Sequence, residues 1–174
     1  MAIHLILGGA RSGKSGMASR LAVAHGLPVV WIATARAGDA EMAARIARHR
    51  ESRPPEWRVI EEPLALAAIL RAEVKPGRVV VVDCLTLWLT NLLFDGDEGL
   101  FDRERRELLQ TVPRLTGELL LVSNETGLGV VPLGEITRRF VDESGWLHQE
   151  LARLADRVTL MVAGLPLSLK GDAA

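Results

Sequence analysis

Gly8-Gly9-Ala10-Arg11-Ser12-Gly13-Lys14-Ser15 fits G-x-x-x-x-G-K-[ST], the pattern of a phosphate-binding P-loop. Its flanks suit that role. The apolar run Ile3 to Leu7, broken only by His4, precedes it as a strand. Met17-Ala18-Ser19-Arg20-Leu21-Ala22 follows with helical character. In such a loop the glycines let backbone N–H groups converge on one oxyanion, and the helix N-terminus adds partial positive charge. Lys14 is placed to reach the β- and γ-phosphates, and Ser15 to ligate Mg²⁺. Residues Gly8 through Ser15 are therefore expected to hold a nucleoside triphosphate. A glycine-rich turn that binds nothing is the plainer alternative, and the strand–loop–helix order argues against it.

Composition narrows the classes. A chain of 174 residues suits one domain with a full core. The net charge of −1, with Lys and Arg mostly scattered, leaves no electrostatic footprint for nucleic acid. Tyrosine is absent, which also speaks against a surface for stacking single-stranded bases. Cys84 is the single cysteine, so no internal disulfide framework is expected, and a reducing cytosol suits the chain. The first residues run directly into a strand, with no basic region and cleavage site, so no signal peptide is expected. No uninterrupted apolar stretch reaches the ~18 residues of a membrane span.

Outward from the P-loop, apolar runs alternate with helical patterns, which predicts an α/β fold with a mainly parallel sheet. Strands are expected at Ile3–Leu7, Val29–Ala33, Arg58–Ile60, Val79–Val82, Leu119–Val122 and Val158–Val162. Several are continuous Val, Ile and Leu, as in strands covered by helices on both faces. Helices are expected at Lys14–Ala24, Ala40–Arg50, Leu64–Ala72, Leu85–Leu93, Arg103–Leu109 and Gly134–Leu154, with Gly145 a candidate break in the last. Gly164-Leu165-Pro166 would turn the chain back, making Leu167–Lys170 a short antiparallel edge strand. Asp172-Ala173-Ala174 should fray.

Val79-Val80-Val81-Val82-Asp83 resembles the partner strand of a P-loop enzyme, whose terminal acid holds Mg²⁺ beside the loop hydroxyl. Asp83 could instead cap the next helix. Arg45, Arg48, His49, Arg50 and Arg53 form the one local basic cluster. On a helix, Met42, Ile46 and His49 fall on one arc, so His49 continues the inward stripe. A neutral imidazole among guanidinium groups is a competent nucleophile toward an α-phosphate. The same residues also suit a helix C-terminus for electrostatic reasons alone. Thr34-Ala35-Arg36 and Glu61-Glu62 end two strands at the carboxyl edge, where open α/β folds bind ligands. The two carboxylates could accept from a base or ribose, or be ordinary loop residues. Ser123-Asn124-Glu125-Thr126-Gly127-Leu128-Gly129 follows another strand and contains no Asn-Lys-x-Asp guanine reader.

Taken together, several segments resemble the bifunctional adenosylcobinamide kinase/adenosylcobinamide-phosphate guanylyltransferase family. They are the P-loop, Ile32-Ala33-Thr34-Ala35, Glu41 to Ile46 leading to His49, Arg53-Pro54-Pro55-Glu56-Trp57-Arg58 and Asp83-Cys84-Leu85-Thr86. Thr90-Asn91-Leu92-Leu93-Phe94, Ser123-Asn124-Glu125, Gly127 to Pro132 and the Gly164–Lys170 tail extend the likeness over essentially the whole chain. The resemblance implies a P-loop, RecA-like fold and a cytoplasmic enzyme of cobalamin biosynthesis. It would phosphorylate adenosylcobinamide from ATP or GTP, then transfer GMP from GTP to adenosylcobinamide phosphate. It implies a guanylyl group carried on His49, and a homotrimer. It also implies nucleotide contacts at the P-loop, Thr34, Ala35, Arg36, Arg50, Glu51, Ser52, Arg53, Glu61, Glu62 and Asp83. Two departures stand out. Arg48 replaces a second basic or histidine residue, and His148-Gln149 replaces Asn-Gln, so no role follows for His148. A P-loop kinase without a covalent step, or a nucleotide-dependent regulatory module, are the other readings of the same residues.

Overall fold

The computed structural model describes residues 2–36, 38, 40, 44, 53–97, 99–129 and 131–171. Seven strands form one sheet: β1 (Ala2–Gly8), β2 (Val29–Ala33), β3 (Arg58–Glu61), β4 (Val79–Asp83), β5 (Glu118–Asn124), β6 (Arg157–Val162) and β7 (Leu165–Lys170). Their order across the sheet is β3-β2-β4-β5-β1-β6-β7. Every pairing is parallel except β6 with β7. The expected α/β class and antiparallel edge strand are both present. Described helices are α1 (Lys14–Ala24), α2 (Leu66–Glu73), α3 (Leu85–Leu93), α4 (Leu100–Thr111) and α5 (Glu135–Leu154).

The apolar strands face two cores. On one side Ile3, Leu5, Val80, Val82, Leu119 and Leu121 pack with Leu70, Trp88, Leu108 and Leu147 from α2, α3, α4 and α5. On the other, Ile6, Trp31, Val79, Val81 and Leu120 pack with Met17 and Ala18 of α1 and with Trp57. Alternate residues of one strand serve opposite cores, which is why β4 reads as unbroken valine.

The helices depart from expectation in places that can be explained. α2 begins at Leu66 rather than Leu64, because Glu62 Oε1 accepts from the N–H groups of Leu64 at 2.9 Å and Ala65 at 2.8 Å. Those two residues are held in the turn before the helix. α4 starts at Leu100, earlier than expected, with Leu100 and Phe101 buried. α5 runs unbroken through Gly145, where an added Cβ would meet nothing within 4 Å. Burial of Ser144, Leu147, His148 and Leu151 holds that helix despite the glycine's cost of about 1 kcal/mol. Of the helix expected over Ala40–Arg50, all but Ala40 and Ala44 lie outside the described residues.

Candidate active site

β1 delivers the chain into the P-loop at Gly8, and α1 begins at Lys14 behind Gly13, whose φ of 95° puts it in the left-handed region. Gly8 has no room for a side chain: a Cβ would lie 2.5 Å from the Met161 carbonyl oxygen and 2.6 Å from Ser12 Oγ. The loop is tied down from both sides. The Glu125 N–H donates to the Gly8 carbonyl at 2.9 Å, and the Gly164 N–H donates to the Ser12 carbonyl at 3.1 Å. Gly164 belongs to the tight turn between β6 and β7, where Ala163 (φ 51°) and Gly164 (φ 83°) are both left-handed. Lys14 is buried, and its ammonium donates to the Gly9 carbonyl at 2.6 Å.

Beside the loop lies a cleft of about 460 Å³. Ala10 to Gly16 line one side. Glu61, Asp83 and Asn124 bring polar groups from the ends of β3, β4 and β5, Arg53 brings its guanidinium from the turn before β3, and Ala33, Ala35, Val59, Cys84 and Leu87 supply apolar wall. Lys14, Ser15 and Asp83 thus share one cavity. The Ser15 hydroxyl and the Asp83 carboxylate are hard oxygen donors, as Mg²⁺ prefers. Among the described residues no cluster of three His, Cys, Asp or Glu could hold a metal.

The remaining predicted residues divide. Thr34 is fully buried: its hydroxyl donates to the Cys84 carbonyl at 2.7 Å and accepts from the Cys84 N–H at 3.0 Å. It sews the end of β2 to the end of β4. Asn91 Nδ2 donates to the carbonyls of Thr34 at 2.7 Å and Pro63 at 3.0 Å, fixing the chain after β2 relative to the chain after β3. Arg36 turns to Asp95, 3.5 Å away. Glu61 lines the cleft, whereas Glu62 spends its carboxylate on the start of α2. His49, Arg50, Glu51 and Ser52 lie outside the described residues.

Electrostatics follow burial. The Arg53 guanidinium is pushed below its ordinary range by burial and partly restored by the Asp83 carboxylate. Burial and the same carboxylate raise the Cys84 thiol, which therefore stays protonated and unreactive. His148 is buried on α5, with Nε2 2.7 Å from Ser123 Oγ and Nδ1 3.7 Å from Glu125 Oε2. Burial lowers its pKa, against the pull of Glu125. It thereby buttresses the tip of β5.

Asn124 is the lining residue that sequence reasoning left without a role. It ends β5, in register with Gly8 of the P-loop strand. Its side chain makes no hydrogen bond among the described residues. The available signal was its place: a polar residue directly after a buried strand.

Fold and cleft define the class as α/β proteins with a P-loop. Solved structures agree at the level of fold. The chain superposes on the flagellar accessory protein FlaH from Methanocaldococcus jannaschii with a TM-score of 0.52 at 13% identity, covering 98% of this chain and 79% of that one. It superposes on the RadB recombinase with a TM-score of 0.53 at 15% identity, covering 91% and 73%. Residues 4–169 match the family model described as cobinamide kinase / cobinamide phosphate guanyltransferase. The chain is 63% identical over 168 residues to the bifunctional adenosylcobalamin biosynthesis protein CobP of Pseudomonas aeruginosa, covering 97% of each. It is 38% identical over 179 residues to the CobU protein of Escherichia coli, covering 95% of this chain and 98% of that protein. This chain belongs to the cobinamide kinase / cobinamide phosphate guanyltransferase family.

Proposed function

We propose that this chain is a bifunctional transferase of adenosylcobalamin biosynthesis. It phosphorylates adenosylcobinamide from ATP or GTP, then transfers GMP from GTP to adenosylcobinamide phosphate. The observation that carries this reading is the convergence of Lys14, Ser15, Asp83 and Asn124 on one cleft, in a chain of this family. In the kinase step the acceptor hydroxyl attacks the γ-phosphorus and the nucleoside diphosphate leaves. Lys14 and the loop N–H groups hold the phosphates and spread the developing charge. Ser15 and Asp83 are the residues that would hold Mg²⁺, whose charge supplements that stabilisation when it is bound. In the second step a His49 ring nitrogen attacks the α-phosphorus of GTP and pyrophosphate leaves. A phosphate oxygen of the acceptor then attacks the guanylyl phosphorus, releasing adenosylcobinamide-GDP and restoring the imidazole. Within the pair of acids ending β3, Glu61 is the one we assign to guanine. It can accept from N1–H and the exocyclic amine, while the Glu62 carboxylate is engaged at α2.

No helix among the described residues is long and apolar enough to cross a membrane. A cytoplasmic, homotrimeric enzyme completes the reading. Leu165, Leu167 and Leu169 on the edge strand β7 are exposed, which supports association. Light scattering should give three times the chain mass of 18.9 kDa; a single-chain mass overturns the trimer.

GTP labelled at the α-phosphate tests the covalent step. The wild-type chain should retain acid-labile, base-stable label after denaturation, and His49→Ala should not, while keeping measurable kinase turnover. Equal labelling of both removes His49 as acceptor. Kinase turnover with no label on the wild type points to a kinase lacking the covalent step.

A further inference from the structure

The turn that brings Arg53 to the cleft is anchored on one aromatic ring. Trp31 lies in the middle of β2 and is buried. Trp57 stacks on it, with ring centroids 5.5 Å apart and planes inclined by 16°. The Arg53 guanidinium carbon lies 4.5 Å from the centroid of the same Trp31 ring. Pro54 and Pro55 stiffen the intervening chain, and the Trp57 N–H closes it on the Pro54 carbonyl at 3.1 Å. Both ends of one short turn therefore grip a single indole.

The choice of partner has a chemical consequence. A carboxylate would hold a guanidinium firmly but neutralise it, and would compete with any incoming phosphate. The face of an indole attracts the cation through its quadrupole and carries no net charge. Among the described residues Arg53 forms no ion pair within 4.0 Å; Asp83, which lines the same cleft with Lys14, acts on it only from farther away. Its planar fork, which no described residue takes up, has the geometry for two parallel hydrogen bonds to phosphate oxygens.

We propose that Trp31, on which Trp57 also stacks, is a positioning residue that holds the Arg53 guanidinium aimed into the cleft, where it binds a phosphate of the nucleoside triphosphate. This rests on the reading of the cleft as a nucleotide site. Trp31 touches no phosphate itself; it acts through Arg53.

A double-mutant cycle read by calorimetric titration with GTP tests it. Trp31→Leu should weaken GTP binding roughly 5- to 30-fold, the range of a partly desolvated cation–π contact. Trp31→Phe, which keeps an aromatic face, should stay within about threefold of the wild type. In an Arg53→Ala background, Trp31→Leu should cause no further loss. Losses that simply multiply would overturn the proposal and leave the nucleotide reading standing. A wild-type chain that does not bind GTP would overturn the nucleotide reading itself. A second measurement leaves Trp31 in place. Saturating GTP should shift the tryptophan emission of the wild type, and Arg53→Ala, saturated at higher GTP, should lose that shift. An identical shift in Arg53→Ala would also overturn the proposal.

Discussion

His4 breaks the apolar run that leads into the P-loop, and its surroundings explain how a strand core tolerates it. The ring is buried, and Nε2 lies 2.8 Å from Thr159 Oγ1 on the neighbouring β6. Burial, with Arg157 nearby adding in the same direction, pushes its pKa from 6.5 to about 4. A base with a depressed pKa stays neutral in the fold while the unfolded chain takes up a proton. Its contribution is therefore complete above pH 6.5 and is lost as pH falls from there through about 4. The loss amounts to up to about 3 kcal/mol. Melting temperature should drop across that window, and His4→Gln, which keeps a hydrogen-bonding partner for Thr159, should flatten the drop. The same slope in both chains would place the acid sensitivity elsewhere, His148 being the next candidate because burial lowers its pKa too.

At the scale of elements, the junction of β3 and α2 separates two adjacent carboxylates that look alike in sequence. Glu61 ends β3 and reaches the cleft, whereas Glu62, just past the strand, turns to the first N–H groups before α2. Glu62→Ala should cost about 1 kcal/mol of stability, as for a lost helix cap, with GTP affinity unchanged. Glu61→Gln should leave the melting curve alone and weaken GTP roughly tenfold or more, as for a hydrogen bond to a charged group. The reverse pattern in melting and titration would exchange their roles. This junction also shows what was legible in advance. The central strands β1, β2, β4 and β5 could be read because they are buried on both faces, and Lys14–Ala24, Val29–Ala33 and Leu85–Leu93 match expectation end to end. The start of α2 could not, because a side chain outside the helix sets it. Trp31 gave no functional signal for a related reason. A tryptophan within a valine-rich strand reads as core, and only folding brings Arg53 onto its face.

For the whole molecule, the order of strands carries what the pattern of apolar runs could not. Alternating strands and helices define an α/β sheet, but not that β5 enters between β1 and β4. That insertion separates the P-loop strand from Asp83 by one strand and brings Asn124 between them, in register with Gly8. The P-loop itself needed no structure to be recognised, because its chemistry is local. Its surroundings did, because they come from the far end of the chain. β6 pairs with β1 across more than a hundred and fifty residues of sequence, and the turn after β6 hydrogen-bonds the loop through Gly164 and Ser12. The phosphate loop is thus braced by a turn that is synthesised long after it. A growing chain on the ribosome carries an unbraced phosphate loop until residue 164 has emerged, so nucleotide cannot meet the finished loop before then.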